Sequence, residues 1–438
     1  MGPQPPLRVA LLSYRSKPHS GGQGVYVRHL SRELVALGHR VEVFSGPPYP
    51  QLDPGVRLTR LPSLDLYREP DPFRIPHPRE FRSLIDVLEW SIMATAAFPE
   101  PLTFSLRARA ALARRVGDFD IVHDNQGLGY GLLGLPGAPV VATIHHPVTV
   151  DRRLELAAAS SARRRFTLRR WYSFARMQSR VARRLPALLT VSEASRADIV
   201  HEFGVDPTRM SVVPVGIDPA VFHPPGPVDP PRVEGRIVAT TSADVPLKGL
   251  VTLLEALAKL RTEQAAHLTV VGSARPGGPA AQAVSRLGLE GAVTFVAGLS
   301  DGELATLLRS ATVAVVPSLY EGFSLPALEA MASGTPLVVT TAGALPEVVG
   351  PDGLAALHTP PGDAEAMAVA LRRVLSDPAV AAQLGAAGWA RARSRYTWRS
   401  AAQGTVAWYG EVLSARPAAD RRPGPVWRPA PETGDGPC

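Results

Sequence analysis

Cysteine is all but missing from this chain of 438 residues: the single one is Cys438, the last residue. That excludes a disulfide framework, a cysteine-ligated zinc site and a cysteine nucleophile with a structured base, and makes a reducing compartment the simplest setting. Long apolar runs are missing too. The longest uncharged stretch able to mimic a membrane span, residues 126–144, holds five Gly and two Pro and reads as turns flanking a strand. The first residues carry too short an apolar run for a signal peptide, and Pro6 stands where a myristoylation signal wants Ser or Thr, so the expected location is the cytoplasm. Lysine is scarce, 3 against 44 arginines, which makes Lys248 conspicuous.

What is there has the balance of a globular chain, 45% hydrophobic and 20% charged, long enough for two or three domains. The net charge of +8 is uneven: residues 151–185 hold eleven Arg against Asp151 and Glu155, or +9 in 35 residues, and the remainder is close to neutral.

An apolar run at 7–14, a glycine-containing loop at 19–24, an amphipathic stretch at 25–37 stopped by Gly38, and a second apolar run at 40–44 make a β-loop-α-β unit. Further strands are expected at 121–123, 140–145, 188–191 and 211–214. Residues 219–231 then carry six prolines in thirteen, which neither a helix nor a central strand tolerates. A second series follows, with strands at 236–241, 267–272, 293–297, 312–317 and 335–341 and helices at 248–261, 280–287, 301–309 and 325–333. Strict alternation predicts parallel sheets covered on both faces, hence an α/β chain of two Rossmann-like, doubly wound domains facing a cleft. The expected division is a first domain over 1–218, a Pro-rich linker over 219–235, a second domain over 236–396, a closing helix over 397–414 and a disordered tail over 415–438. Ligands of such sheets lie at the carboxyl ends of the strands.

The richest segment is 317–347. A strand ends at Pro317, a loop holds Glu321 and Gly322, and a helix starts near Pro326, where proline is welcome. Backbone N–H groups of Gly322, Phe323, Ser324 and Leu325 would then face the cleft at a positive helix end, ready for an anion such as a diphosphate. Glu321 and Glu329 are eight residues apart, so one carboxylate can reach a sugar while the other reaches a ribose. Leu328, Ala330 and Met331 around Glu329 argue against a merely solvated helix face.

From Glu321 the chain reads E-G-F-x-L-P-x-L-E and then A-x-x-x-G-x-P-L-V, which resembles the nucleotide-sugar site of glycosyltransferase family 4, retaining enzymes of the GT-B fold. Segments 19–22, 119–123, 143–145, 191–198 and 213–218 agree, so the resemblance covers about 7–413. It implies a retaining hexosyltransferase that moves a sugar from a nucleotide-diphosphate donor to a hydroxyl acceptor, with a lipid-linked acceptor among the candidates and no cofactor or metal. Carried over residue by residue, Glu329 would bond the donor ribose, and the loop 321–325 would hold the sugar hydroxyls and diphosphate. Lys248 would neutralise that diphosphate at a helix start, where an unpaired cation otherwise opposes the dipole. His145 would contact the donor sugar or reacting centre, with His146 the open alternative, and Gly21 and Gly22 would allow close backbone approach. The family usually places an arginine six residues before this lysine, where Ser242 stands here; Arg275 is a candidate substitute. Front-face displacement, with the departing phosphate oxygen helping to deprotonate the acceptor, would explain why no nucleophile-base pair is visible.

Two patterns need separate readings. Asp118-Phe119-Asp120 has a spacing that binds metal in another glycosyltransferase fold, but it precedes an apolar strand and reads as a strand start. The Arg-rich region 163–184, interleaved with Phe166, Leu168, Trp171, Tyr172 and Phe174, can lie on an anionic inner membrane face as a peripheral contact, or pack its aromatics inward and leave its arginines in water. Nucleic acid, electrostatically equivalent, is not the expectation. The apolar stretch 90–98 is either a guide for a lipid acceptor or core. The rival functions are a nucleotide-sugar epimerase and a non-catalytic basic membrane-binding protein on the same fold.

Overall fold

The computed structural model describes residues 6–16, 22–68, 70–159, 161–227, 229 and 231–415. Its first half is a seven-stranded sheet of β1 (Arg8–Ser13), β2 (Arg40–Ser45), β3 (Arg57–Arg60), β4 (Ile121–Asn125), β5 (Val140–Thr143), β6 (Leu188–Thr190) and β7 (Met210–Val212). Helices α1 (Gly22–Ala36), α2 (Leu84–Ala94), α3 (Glu100–Ala113), α4 (Val148–Ala158), α5 (Ala162–Trp171), α6 (Ala175–Ala182) and α7 (Glu193–Phe203) surround it. The second half is a six-stranded sheet of β8 (Val233–Thr240), β9 (His267–Val271), β10 (Val293–Val296), β11 (Ala311–Val316), β12 (Leu337–Thr340) and β13 (Leu357–Thr359). It is covered by α8 (Leu250–Leu260), α9 (Pro279–Arg286), α10 (Asp301–Ser310), α11 (Leu325–Ala332), α12 (Leu345–Val349), α13 (Ala364–Ser376) and α14 (Pro378–Arg395), and α15 (Trp398–Ser414) closes the described chain.

The strand orders are β3-β2-β1-β4-β5-β6-β7 and β10-β9-β8-β11-β12-β13, with every pairing parallel. The winding direction reverses where β1 adjoins β4 and where β8 adjoins β11, and ligand crevices open at such points. Every side chain of β4 and β5 is buried, as a sheet covered on both faces requires. The GT-B arrangement of two facing Rossmann-like halves is therefore present. Strand β8 starts three residues earlier than position 236 because Val233 already pairs with Ala311 of β11.

The closing helix does not stay with the second sheet. Thr397 forms a bridge with Ile217, the Trp398 ring stacks on His29 at 5.0 Å, and α15 then packs along α1. Side chains from both halves, among them Leu11, Leu30, Leu328, Met331, Trp398 and Tyr409, consequently share one hydrophobic cluster. Residues 19–21 of the glycine loop and 416–438 of the expected tail lie outside the described residues.

Candidate active site

Three strand ends and two helix starts build the site. Beyond β8 the chain makes one turn of 3-10 helix, Pro246–Lys248, and Gly249 rather than Lys248 leads into α8. Gly249 has φ +65°, and a Cβ there would lie 1.9 Å from the carbonyl oxygen of Pro317, so this corner admits glycine alone. It carries Lys248 to the loop that follows β11. There Lys248 Nζ meets Glu321 Oε1 at 2.8 Å, and the Ser318 hydroxyl donates to the same oxygen at 2.7 Å. The side chains of Lys248 and Glu321, 73 residues apart, thus form one partly buried ion pair.

Beyond Glu321 the backbone is strained. Ser324 has φ +92°, a region that non-glycine residues avoid, and its hydroxyl accepts from Ala327 N–H as the cap of α11. Gly22, the first residue of α1, stands opposite: a Cβ on it would lie 4.0 Å from Leu325 Cδ1. The N-termini of α1 and α11 therefore converge, and neither has an acidic residue in its first turn. Two positive helix ends thus come together, and such ends favour an anion. Glu329 lies four residues into α11, and burial, reinforced by Asp301, pushes the pKa of its carboxyl up to about 7.

The first sheet supplies the histidines. His145 follows β5; its Nε2 lies 2.8 Å from Asn125 Oδ1 and its ring meets Tyr26 edge-on at 4.8 Å. Burial, reinforced by His146, lowers its pKa to about 3, so it is neutral. His146 Nε2 is 2.8 Å from Asp151 Oδ2. Burial pulls its pKa down, but the hydrogen bond and charge of Asp151 outweigh this and leave it raised, with Lys248 and Glu321 both acting on it. Of the two histidines it is His146 that the charges of the ion pair act on, whereas His145 bonds Asn125 at the end of β4 and lends its carbonyl to the packing described next.

The loop that follows β11 is stitched to the opposite half. The carbonyl of Gly322 accepts from the hydroxyls of Ser192 at 2.6 Å and Ser195 at 2.8 Å. Tyr320 donates to Asp198 at 2.8 Å, and the Glu347 carboxylate accepts from the backbone N–H groups of Glu193 and Ala194 at the start of α7. The sequence reading missed these partners, since a Ser at the start of a helix signals only a cap.

The remaining candidates divide. Ser242 occupies the loop after β8, where its carbonyl accepts from Val245 N–H. Arg275 comes to the same loop, but its guanidinium pairs with Asp244 at 3.3 Å. Asp118 and Asp120 sit at the amino end of β4, away from the cleft, and bind Arg115 and Arg8 respectively. Among the described residues no group of three His, Cys, Asp or Glu could hold a metal ion. In the Arg-rich region Leu168 and Tyr172 are buried, Trp171 and Phe174 pack on Phe98, and Phe166 alone of the five stands out, 65% exposed. That placement favours a solvated basic face over a lipid contact. Among the described residues no helix is long and apolar enough to cross a membrane.

Residues 20–221 match the family model described as Glycosyltransferase Family 4, and residues 234–377 match that described as Glycosyl transferases group 1. The MMP alpha-(1->4)-mannosyltransferase of Mycolicibacterium hassiacum is 56% identical over 416 residues, covering 94% of this chain and 100% of its own. The glycogen synthase of Mycobacterium tuberculosis is 29% identical over 429 residues, 96% of this chain and 97% of its own. Among solved structures, sucrose-phosphate synthase from Thermosynechococcus elongatus superposes with a TM-score of 0.70 at 24% identity, covering 94% of this chain and all of that one.

Proposed function

The chain belongs to glycosyltransferase family 4 and is a glycosyltransferase, and on that premise we propose that it moves a mannosyl group from a nucleoside-diphosphate donor to the hydroxyl of a saccharide acceptor, with retention of configuration. The sugar follows the 56%-identical relative, a named mannosyltransferase. One observation carries the donor class: the acid-free starts of α1 and α11 come together, and Lys248 is held by Glu321 in the loop that leads into α11. A leaving diphosphate there is stabilised by preorganised N–H groups and an ammonium, whose worth grows as charge develops on the departing oxygen. We assign Glu321, held by Ser318 and Lys248, to the donor sugar, and Glu329 to the ribose. His146, paired with Asp151, is the histidine we assign to the reacting side, and His145 positions Asn125 and the Gly322 loop. The new glycosidic bond forms on the face from which the phosphate leaves, and that phosphate oxygen takes the acceptor's proton.

Calorimetric titration of UDP, GDP and ADP into the protein tests the donor site. One nucleotide should bind selectively, and Lys248→Ala and Glu329→Ala should each weaken it about tenfold or more, the loss typical of a charge-assisted hydrogen bond. Failure to bind any of the three would overturn the proposal. An inverted product anomer, read by NMR, would overturn the front-face step alone.

A further inference from the structure

The bonds that hold Glu321 and Gly322 against the opposite half close into a ring. At the start of α7, the hydroxyls of Ser192 and Ser195 donate to the Gly322 carbonyl across 130 and 127 residues of sequence. The Glu347 carboxylate reaches the same helix end from α12, accepting from the backbone N–H groups of Glu193 at 3.0 Å and Ala194 at 3.3 Å. Ala344, immediately before α12, donates its N–H to the Glu321 carbonyl at 2.9 Å. The contacts thus run from Glu321 and Gly322 to α7, from α7 to Glu347, and through the start of α12 back to Glu321. This last corner is tight: Gly343 has φ +55°, and a Cβ on it would lie 2.2 Å from the Glu321 carbonyl oxygen.

Helix α7 does not need Glu347 in order to form. A helix start leaves N–H groups without partners inside the helix, and Ser192 already supplies the cap, its hydroxyl accepting from Ser195 N–H at 2.9 Å. The helix also has an acid of its own in the first turn, Glu193, whose side chain pairs with Arg196 at 3.3 Å. The N–H groups of Glu193 and Ala194 lie at an exposed end where water could serve them. A carboxylate arriving from 154 residues away is therefore surplus to the helix. What it determines is where α7 stands relative to α12.

Glu347 is built to hold that distance. Arg391 donates to the carbonyls of Glu347 and Val348, each at 2.8 Å, and the Tyr396 hydroxyl donates to the Glu347 carbonyl at 3.2 Å. The carboxylate that crosses to α7 extends from a backbone fixed on the other side.

We propose that Glu347 is a positioning residue for the transfer step. By clamping α7 to α12 it sets Ser192 and Ser195 on Gly322, and so fixes Glu321 against the half that carries the histidines. Its consequence for activity rests on the glycosyltransferase reading; the ring of contacts does not.

Steady-state kinetics on the full chain test the role, with the mannose derivative of the nucleotide selected by calorimetry as donor and α-1,4-linked mannobiose as acceptor. Glu347→Ala should lower kcat about tenfold or more, since small misplacements of reacting groups are costly, while the nucleotide Kd stays within about twofold. Glu347→Gln keeps an oxygen that can accept from both N–H groups, so its kcat should stay within about threefold of wild type. Glu347→Ala and Ser195→Ala break the same ring, so the double variant should be no slower than the slower single one. Wild-type kcat in Glu347→Ala, a parallel loss of nucleotide affinity, no rescue by Gln, or losses that multiply in the double variant would each overturn the proposal.

Hydrogen exchange scores the ring without any reaction. Ser195→Ala should quicken exchange of the Ala344 N–H, on the far side of the ring, about fivefold or more, and an unchanged rate would also overturn the proposal. A wild type that transfers nothing would count against the assigned reaction instead, with exchange still deciding the ring.

Discussion

Gly322 stands where a side chain has no room. A Cβ on it would lie 2.8 Å from the His145 carbonyl oxygen and 3.1 Å from both His146 Cβ and Ser195 Oγ, so Gly322→Ala must push the 321–325 loop away from the opposite sheet. Misplacing reacting groups by about an ångström costs roughly 10²-fold in rate. Transfer activity of Gly322→Ala should fall by about that factor. Adding Ser195→Ala should restore only part of it, because one of three close contacts is relieved while Gly322 loses a donor to its carbonyl. Wild-type turnover in Gly322→Ala would show that the loop has slack. The sequence already singled out Glu321, Gly322, Glu329 and Lys248, because their types and spacing are local signals. It was silent on the crowding at Gly322 and on the left-handed backbone of Ser324, since both depend on how residues more than a hundred positions away pack.

At the scale of elements, the central strands and the helices between them were readable from apolar runs and their breakers. The failures have particular causes. Strand β3, Arg-Leu-Thr-Arg, is a short edge strand with no buried residue to mark it. Helix α2 begins with a Ser83–Asp86 capping box but has only Asp86 and Glu89 buried, so its apolar residues give no inward stripe. Helices α13 and α14 meet at Asp377, which ends one and caps the other. Helix α15 was readable as a helix, but its docking was not, since the bond from Tyr409 OH to His123 Nδ1, 2.6 Å long, spans 286 residues. His123 Nε2 continues to Thr143 Oγ1 at 2.7 Å, which also meets Tyr26 OH at 3.2 Å. This buried chain pins the closing helix to β4 and β5. Tyr409→Phe keeps the ring and strands a buried imidazole nitrogen, so it should cost about 1–3 kcal/mol. Urea unfolding would show this as a lower midpoint with an unchanged slope; an unaltered midpoint would mean that α15 is held by its apolar face alone.

For the whole molecule, buried titratable groups set how stability depends on pH. Burial raises Glu100 to about 8 and Asp124 and Glu329 to about 7, and lowers His29 to about 4 and His123 and His145 to about 3. An acid with a raised folded pKa holds its proton in the native state while the unfolded chain has lost it, so its contribution falls as pH rises from the ordinary carboxylate range to the folded value. A histidine with a lowered folded pKa binds fewer protons when native, so its contribution rises with pH up to its ordinary value near 6.5. Between about pH 4.5 and 6.5 these acids, joined by Glu89, and these histidines, joined by His39 and His358, oppose one another and stability should change little. Above about 6.5 the histidines are neutral in both states, only the acids still titrate, and His146, raised by Asp151, loses its proton as well. Thermal unfolding should therefore show a plateau at mildly acidic pH and a falling midpoint from about 6.5 to 8.5. Asp124→Asn and Glu100→Gln should flatten that fall; a midpoint that instead climbs over this range would mean that these carboxylates are ionised in the folded protein.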